Sequence, residues 1–183
     1  LVFYIVECII LILLASFRSD TMGGDALFYA DSFRNLPTLD EITLEELPIG
    51  SRFQPLWLIF NALIKTIYNN FLFYKIIHAL IVNITIFAFA YKFPKYKFYF
   101  VLLFLISKFW YFEFEIQREV LAICAFLISF EYLKNKQYLK YFAIALVAFL
   151  FHVSALFLFI IPILLPITQY LSQKSSITFI LII

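Results

Sequence analysis

Phe71–Tyr91 is 21 residues of almost unbroken apolar sequence, with large side chains on every helical face rather than at amphipathic spacing. About 20 such residues cross the roughly 30 Å hydrocarbon layer of a membrane, where the backbone must satisfy its own hydrogen bonds as a helix. Similar runs recur at Leu1–Ala15, Phe98–Phe112, Val120–Leu133, Tyr141–Ile161 and Ile177–Ile183. The chain is 64% hydrophobic and 14% charged, against about half and a quarter in soluble domains. That excess excludes a soluble globular domain, a disordered tail and a coiled coil. Three Gly and two Cys exclude collagen-like and disulfide-scaffold chains, and Cys8 and Cys124 read as packing residues inside apolar runs. The alternating segments of a membrane β-barrel are absent. The expected fold is all-α: a polytopic transmembrane helical bundle, one domain over 1–183, with an external loop carrying short amphipathic helices. Because it opens on Leu1 inside one apolar run and stops inside another, the chain reads as a segment of a longer protein.

Charge sets the orientation. Lys92, Lys95 and Lys97 form one basic cluster and Lys134, Lys136 and Lys140 a second; both belong on the cytoplasmic side. Two helices separate them, so the Tyr111–Glu119 turn, with Glu113, Glu115, Glu119 and Arg118, is expected outside. The stretch 16–53 carries seven acids and three arginines and is expected outside too. Within it, Gly23-Gly24 breaks the chain and Asp25 is a plausible helix N-cap. Ala26, Tyr29, Ala30, Phe33 and Leu36 then recur at the three-four spacing of an amphipathic surface helix, with Asp25 and Tyr29 one turn apart. Residues 55–68 are too short for a comfortable span, about 21 Å as a helix, and are expected to re-enter or lie in the outer interface.

Polar side chains inside a bilayer cost a few kcal/mol each and need a reason. Lys75 and Lys108 can snorkel from helix ends, and Glu131 can pair with Lys134 one turn on. His152, about 16 Å along a helix rising from Tyr141, is expected near mid-depth facing other helices or water. His78, about 10 Å below the opposite end of its own helix, could approach the same outward cavity. Arg118 is either an exposed ion pair with Glu115 and Glu119 or a bidentate anchor for phosphate. A net charge of +2 with no basic groove excludes nucleic acid as a partner. The phosphate-cradling, HExxH and CxxC patterns are absent, and no cofactor or metal is expected.

Four pieces, in order, resemble the EpsG-type branch of the Wzy polysaccharide polymerases. They are GGDALFYADSF (Asp25, Tyr29, Phe33), FQPLWLIFNALI (Gln54 onward), QREVLAICAFLISFEYLKNKQYLKY (Arg118) and AFLFHVSALFLFIIPI (His152). Where the family carries Glu-Pro-Gly this chain has Gln54-Pro55-Leu56, so a carboxylate role does not transfer to Gln54. The resemblance implies polymerisation of polyprenyl-diphosphate-linked oligosaccharides at the outer face of the cytoplasmic (inner) membrane, with membrane lipids and other polysaccharide-assembly proteins as partners. It implies Arg118, His152 and Asp25 as catalytic groups, with Tyr29, Gln54, Glu115 and His78 contacting substrate. The alternatives are a C-type lipid-phosphosugar glycosyltransferase, which also places acids in a first external loop, and a transporter or flippase of lipid-linked glycans.

Overall fold

The computed structural model describes residues 2–42 and 54–166; Glu45, Glu46, Arg52 and the run Ile177–Ile183 lie outside the described residues. Among these residues the chain is helical, without strands: α1 (Val2–Ser16), α2 (Ala26–Asn35), α3 (Pro55–Ile67), α4 (Phe71–Tyr91), α5 (Lys97–Ser107), α6 (Gln117–Lys134) and α7 (Tyr138–Phe151). A π-helical turn, Tyr111–Glu115, precedes α6, and a 3-10 segment, Val153–Phe159, follows α7. One described helix, α4, is long and apolar enough to cross a membrane; α1, α3, α5 and α7 are apolar but shorter.

The bundle has two chemically different ends. At one end Lys92 pairs with Glu131 at 3.3 Å, joining the C-termini of α4 and α6. This replaces the Glu131–Lys134 pair expected from spacing, because α4 and α6 finish side by side. Lys97 approaches the Tyr4, Tyr91 and Phe98 rings there. Tyr4 donates to the Phe87 carbonyl at 2.7 Å, so α1 starts at this lysine end and runs antiparallel to α4. At the opposite end Lys75 is buried and donates to Asp20 and to the Arg18 carbonyl, both at 2.7 Å. It does not snorkel; Asp20 from the loop after α1 reaches it first.

Small residues let the helices approach, as they do where lipid supplies no hydrophobic drive. Ala122 and Ala125 of α6 face Ala145 and Ala148 of α7, and all four are buried. On the outside, large apolar residues stay uncovered: Phe3, Leu103, Ile106, Leu139 and Phe157 are all more than 60% exposed. An apolar mantle of this extent marks contact with a membrane or another protein.

Two expected elements are corrected. The run Phe98–Phe112 stops as an α-helix at Ser107, and the wider π-helical turn that follows carries Glu113 inward to complete burial rather than out with Glu115 and Glu119. The run Tyr141–Ile161 is not one helix. His152 is extended, with φ −154° and ψ 134°, and its ring Nδ1 stands 3.3 Å from the Ser154 backbone nitrogen, where a helix would present a carbonyl. The chain then doubles back: the Tyr141 hydroxyl donates to the Leu158 carbonyl at 2.8 Å, 17 residues on, and the Phe142 and Phe159 rings stack at 5.9 Å. In a straight helix those partners would stand about 25 Å apart. His152 therefore sits at the apex of a hairpin rather than midway along a span.

A Phe142→Cys/Phe159→Cys pair, with Cys8 and Cys124 replaced by Ala, is expected to form an oxidative crosslink within one chain, seen as a gel-mobility shift. A continuous helix would give none.

Candidate functional site

Three consecutive residues open α6 and diverge, because each successive helical position turns by about 100°. Gln117 points into the bundle, Arg118 towards α2 and α3, and Glu119 towards the α7 hairpin. Each meets a different part of the chain.

Gln117 is fully buried and accepts from the Tyr74 hydroxyl at 2.9 Å. Its carbonyl lies 3.1 Å from His78 Nε2. A carbonyl only accepts, so Nε2 carries the hydrogen. His78 Nδ1 then faces Glu113 Oε2 at 3.3 Å with both side chains at zero exposure. Burying such a pair is tolerable only where the two groups compensate each other. Asn83 donates to the other Glu113 oxygen at 2.7 Å. His78 is thus enclosed between α4, the π turn and α6, and does not share a cavity with His152.

Arg118 Nη1 donates to Gln54 Oε1 at 3.4 Å, where Gln54 caps α3 ahead of Pro55 at its first position. Its side chain and backbone N–H both face the phenol oxygen of buried Tyr29. Burial pushes the Tyr29 phenol up and Arg118 only partly offsets this, so at neutral pH Tyr29 is protonated and donates to the Glu115 carbonyl at 3.3 Å. The Tyr29 and Trp57 rings meet edge-on at 5.5 Å, fixing α2 against α3.

Glu115 supplies the cap that Asp25 was expected to give. Asp25 occupies the N-cap position of α2, but its side chain makes no capping bond. The Glu115 carboxylate accepts from Gly24 N–H at 2.6 Å and Asp25 N–H at 3.3 Å, an acid at a helix N-terminus. This approach needs glycine: Gly23 has φ +113°, and a Cβ there would stand 3.0 Å from Phe114 Cβ. The Asp25 carboxylate stays exposed beside the site.

Glu119 accepts from the Ser154 hydroxyl at 3.1 Å, and Ser154 Oγ is 2.8 Å from His152 Nδ1. His152 lies within electrostatic range of Glu119 and Arg118. Arg118, Tyr29, Gln54, Glu115 and Asp25 are thus one cluster, His152 joins it through Ser154 and Glu119, and His78 stands behind it. Gln117, Tyr74 and Asn83 were not identified from the sequence, and Glu113 was expected outside rather than buried. Their available signal was polarity in the wrong place: Asn83 amid an apolar run and Glu113 amid aromatic residues each require an internal partner.

A sequence model of the EpsG family matches residues 1–183, and the chain belongs to that family. Membership places it among membrane proteins of polysaccharide biosynthesis. No curated protein and no solved structure matches it.

Removing one member of a buried pair strands the other. Glu113→Ala is expected to cost about 3–5 kcal/mol, while a joint His78→Leu/Glu113→Leu replacement costs clearly less than two such losses. Thermal melts of the purified protein in detergent read both, and additive single costs would show that the two groups do not interact.

Proposed function

We propose that this EpsG-family chain forms part of a multi-span polymerase that joins polyprenyl-diphosphate-linked oligosaccharides at the outer face of the cytoplasmic membrane. In that topology the lysine end is cytoplasmic, α2 lies on the outer surface, and α3 stays in the outer half of the bilayer. Other polysaccharide-assembly proteins would act beside it. The observation that carries the reading is the meeting of Arg118 with α2 and α3 at the start of α6, with His152 on the adjoining hairpin.

In the reaction, the acceptor hydroxyl oxygen attacks the anomeric carbon of the donor glycan. The bond from that carbon to the diphosphate oxygen breaks, and polyprenyl diphosphate leaves with the electron pair. Arg118 meets the negative charge that grows on the diphosphate, where a guanidinium can make two parallel hydrogen bonds. The backbone adds to it, since the first turn of α6 is the positive end of the helix dipole. Gln54 and Tyr29 hold the guanidinium in place, and Asp25 orients the incoming sugar.

His152 takes the hydroxyl proton. The Glu119 carboxylate only accepts, so the Ser154 hydrogen is committed to it. The shorter contact to Ser154 Oγ at 2.8 Å then requires Nδ1 to donate, which leaves Nε2 of the neutral ring as the proton acceptor. Glu119 and Ser154 orient this base, as the third group of a catalytic relay does.

With the full-length protein in liposomes and lipid-linked repeat units, Arg118→Ala is expected to lower the polymerisation rate about 100-fold or more. Arg118→Lys should recover little, since lysine cannot reproduce the planar fork. His152→Ala should cost about 100-fold or more. Polymer of native length and yield from Arg118→Ala would sink the reading. Wild-type protein that moves the lipid-linked unit across the bilayer without lengthening it would replace the reading with transport, and addition of single sugars would replace it with a lipid-phosphosugar transferase.

A further inference from the structure

We infer that the trough between α2 and α3 is a saccharide subsite, which takes neutral, hydroxyl-rich sugar rings of the glycan whose diphosphate is held at Arg118. The inference rests on the proposed function for the identity of that glycan, but the trough itself is a separate feature. It has a volume of about 540 Å³, inside the range of about 300–1,000 Å³ found for small-molecule sites.

Its position follows from the two helices that make it. Arg118 meets α2 at Tyr29 and α3 at Gln54, near the start of each helix. Both helices then lead away in the same sense, because their far ends are joined: Lys65 of α3 donates to the Arg34 and Leu36 carbonyls at the end of α2, and the Leu39 N–H donates to Thr66 at 2.8 Å. The trough is lined further along each helix, by Asp31, Ser32 and Asn35 on α2 and by Trp57 and Asn61 on α3. Asn35 lies six residues beyond Tyr29 and Asn61 seven beyond Gln54, about 9 and 10 Å along the axes. A glycan leaving the diphosphate along these helices enters the trough after its first ring.

The lining chemistry selects the ligand. Sugars present hydroxyls around their edge and C–H groups on their faces. Asp31 offers a carboxylate, 64% exposed, that accepts two hydroxyls, and Ser32 and Asn35 add donors and acceptors at the rim. Asn61 forms part of the floor, buried to 4%. One of its amide hydrogens is bound to the Trp57 carbonyl at 2.8 Å, which leaves its oxygen and second hydrogen for a ligand. Phe28 and Trp57 supply the apolar walls. Among the described residues that line the trough there is one carboxylate and no cation, and the neighbouring Arg34 is shared between Asp31 and Asp20. A uronic acid would meet repulsion there, and a bare polyprenyl chain would leave four polar side chains unmatched.

Trp57 gives a direct readout. In the full-length protein with Trp57 as the only tryptophan, titration with neutral hexose and N-acetylhexosamine trisaccharides is expected to give a saturable fluorescence change. Asp31→Asn and Asn61→Leu should each raise the half-saturating concentration about 10-fold, and trigalacturonate should bind at least 10-fold more weakly than the best neutral trisaccharide. Arg118→Ala should leave these titrations within about twofold of the parent. No saturation by any neutral trisaccharide, indifference to both substitutions, or saturation by farnesyl phosphate in place of sugar overturns the inference. If Asn61→Leu does not fold, Ser32→Ala at the rim takes its place, with the same two outcomes. Polymerisation that persists in Arg118→Ala while the sugar titrations behave as stated would defeat the proposed function and leave the trough standing.

Discussion

A carboxylate sealed from water dictates the geometry at the head of α6. Glu113 has zero exposure, and a lone ion there would cost far more than any helix could recover. Its 3.3 Å approach to His78, and the bond from Asn83, make burial possible only if the π turn holds one register against α4. His78 then reaches on to the Gln117 carbonyl and Tyr74 to its side chain. Gln117 is the first residue of α6, so its clamping sets the direction in which Arg118 leaves the helix. The buried network therefore touches no proposed substrate, yet it fixes the residue on which the proposed chemistry turns.

Much of the helical content is legible in the sequence, for a simple reason. Burial on all sides writes itself as the uninterrupted run of α4, and burial on one side writes itself as the three-four spacing of α2. What periodicity does not carry is direction. Tyr141–Ile161 reads as one apolar stretch because both arms of the hairpin pack against apolar neighbours. The reversal depends on a single histidine ring set against Ser154 and on a tyrosine hydroxyl that reaches Leu158. Likewise, Glu113 and Glu115 look equivalent beside Arg118. Only the π turn separates them, one inward to His78 and one outward to the Gly24 and Asp25 amides.

The site was legible in part for a different reason. Arg118, Tyr29, Gln54 and Asp25 stand out through ordered resemblance to a family, and the structure brings them together from three helices. Their mutual contacts lie 64 or more residues apart in sequence where Arg118 meets Gln54, and 86 where Tyr29 meets Glu115. No local pattern reports contacts at that range. His78 drew attention because imidazoles are rare in apolar runs, but rarity does not distinguish a substrate contact from a buried support. Its neighbours decide that, and they are Gln117 and Glu113.

The departure at Gln54 has a physical reading of its own. A carboxylate there would give Arg118 a charged partner, and a diphosphate would have to displace it. The neutral amide accepts one hydrogen bond and orients the guanidinium without adding a second negative charge at the place where the leaving group's charge would grow. Position matters as much as partner. A cation in the first helical turn opposes the macrodipole by about 0.3–1 kcal/mol, and Glu119 one residue later offsets part of it. A sequence selected for stability alone would reverse that order. Keeping the cation at the positive end of α6 concentrates attraction for an anion on one spot, where the Tyr29 phenol and the Gln54 amide can hold it ready.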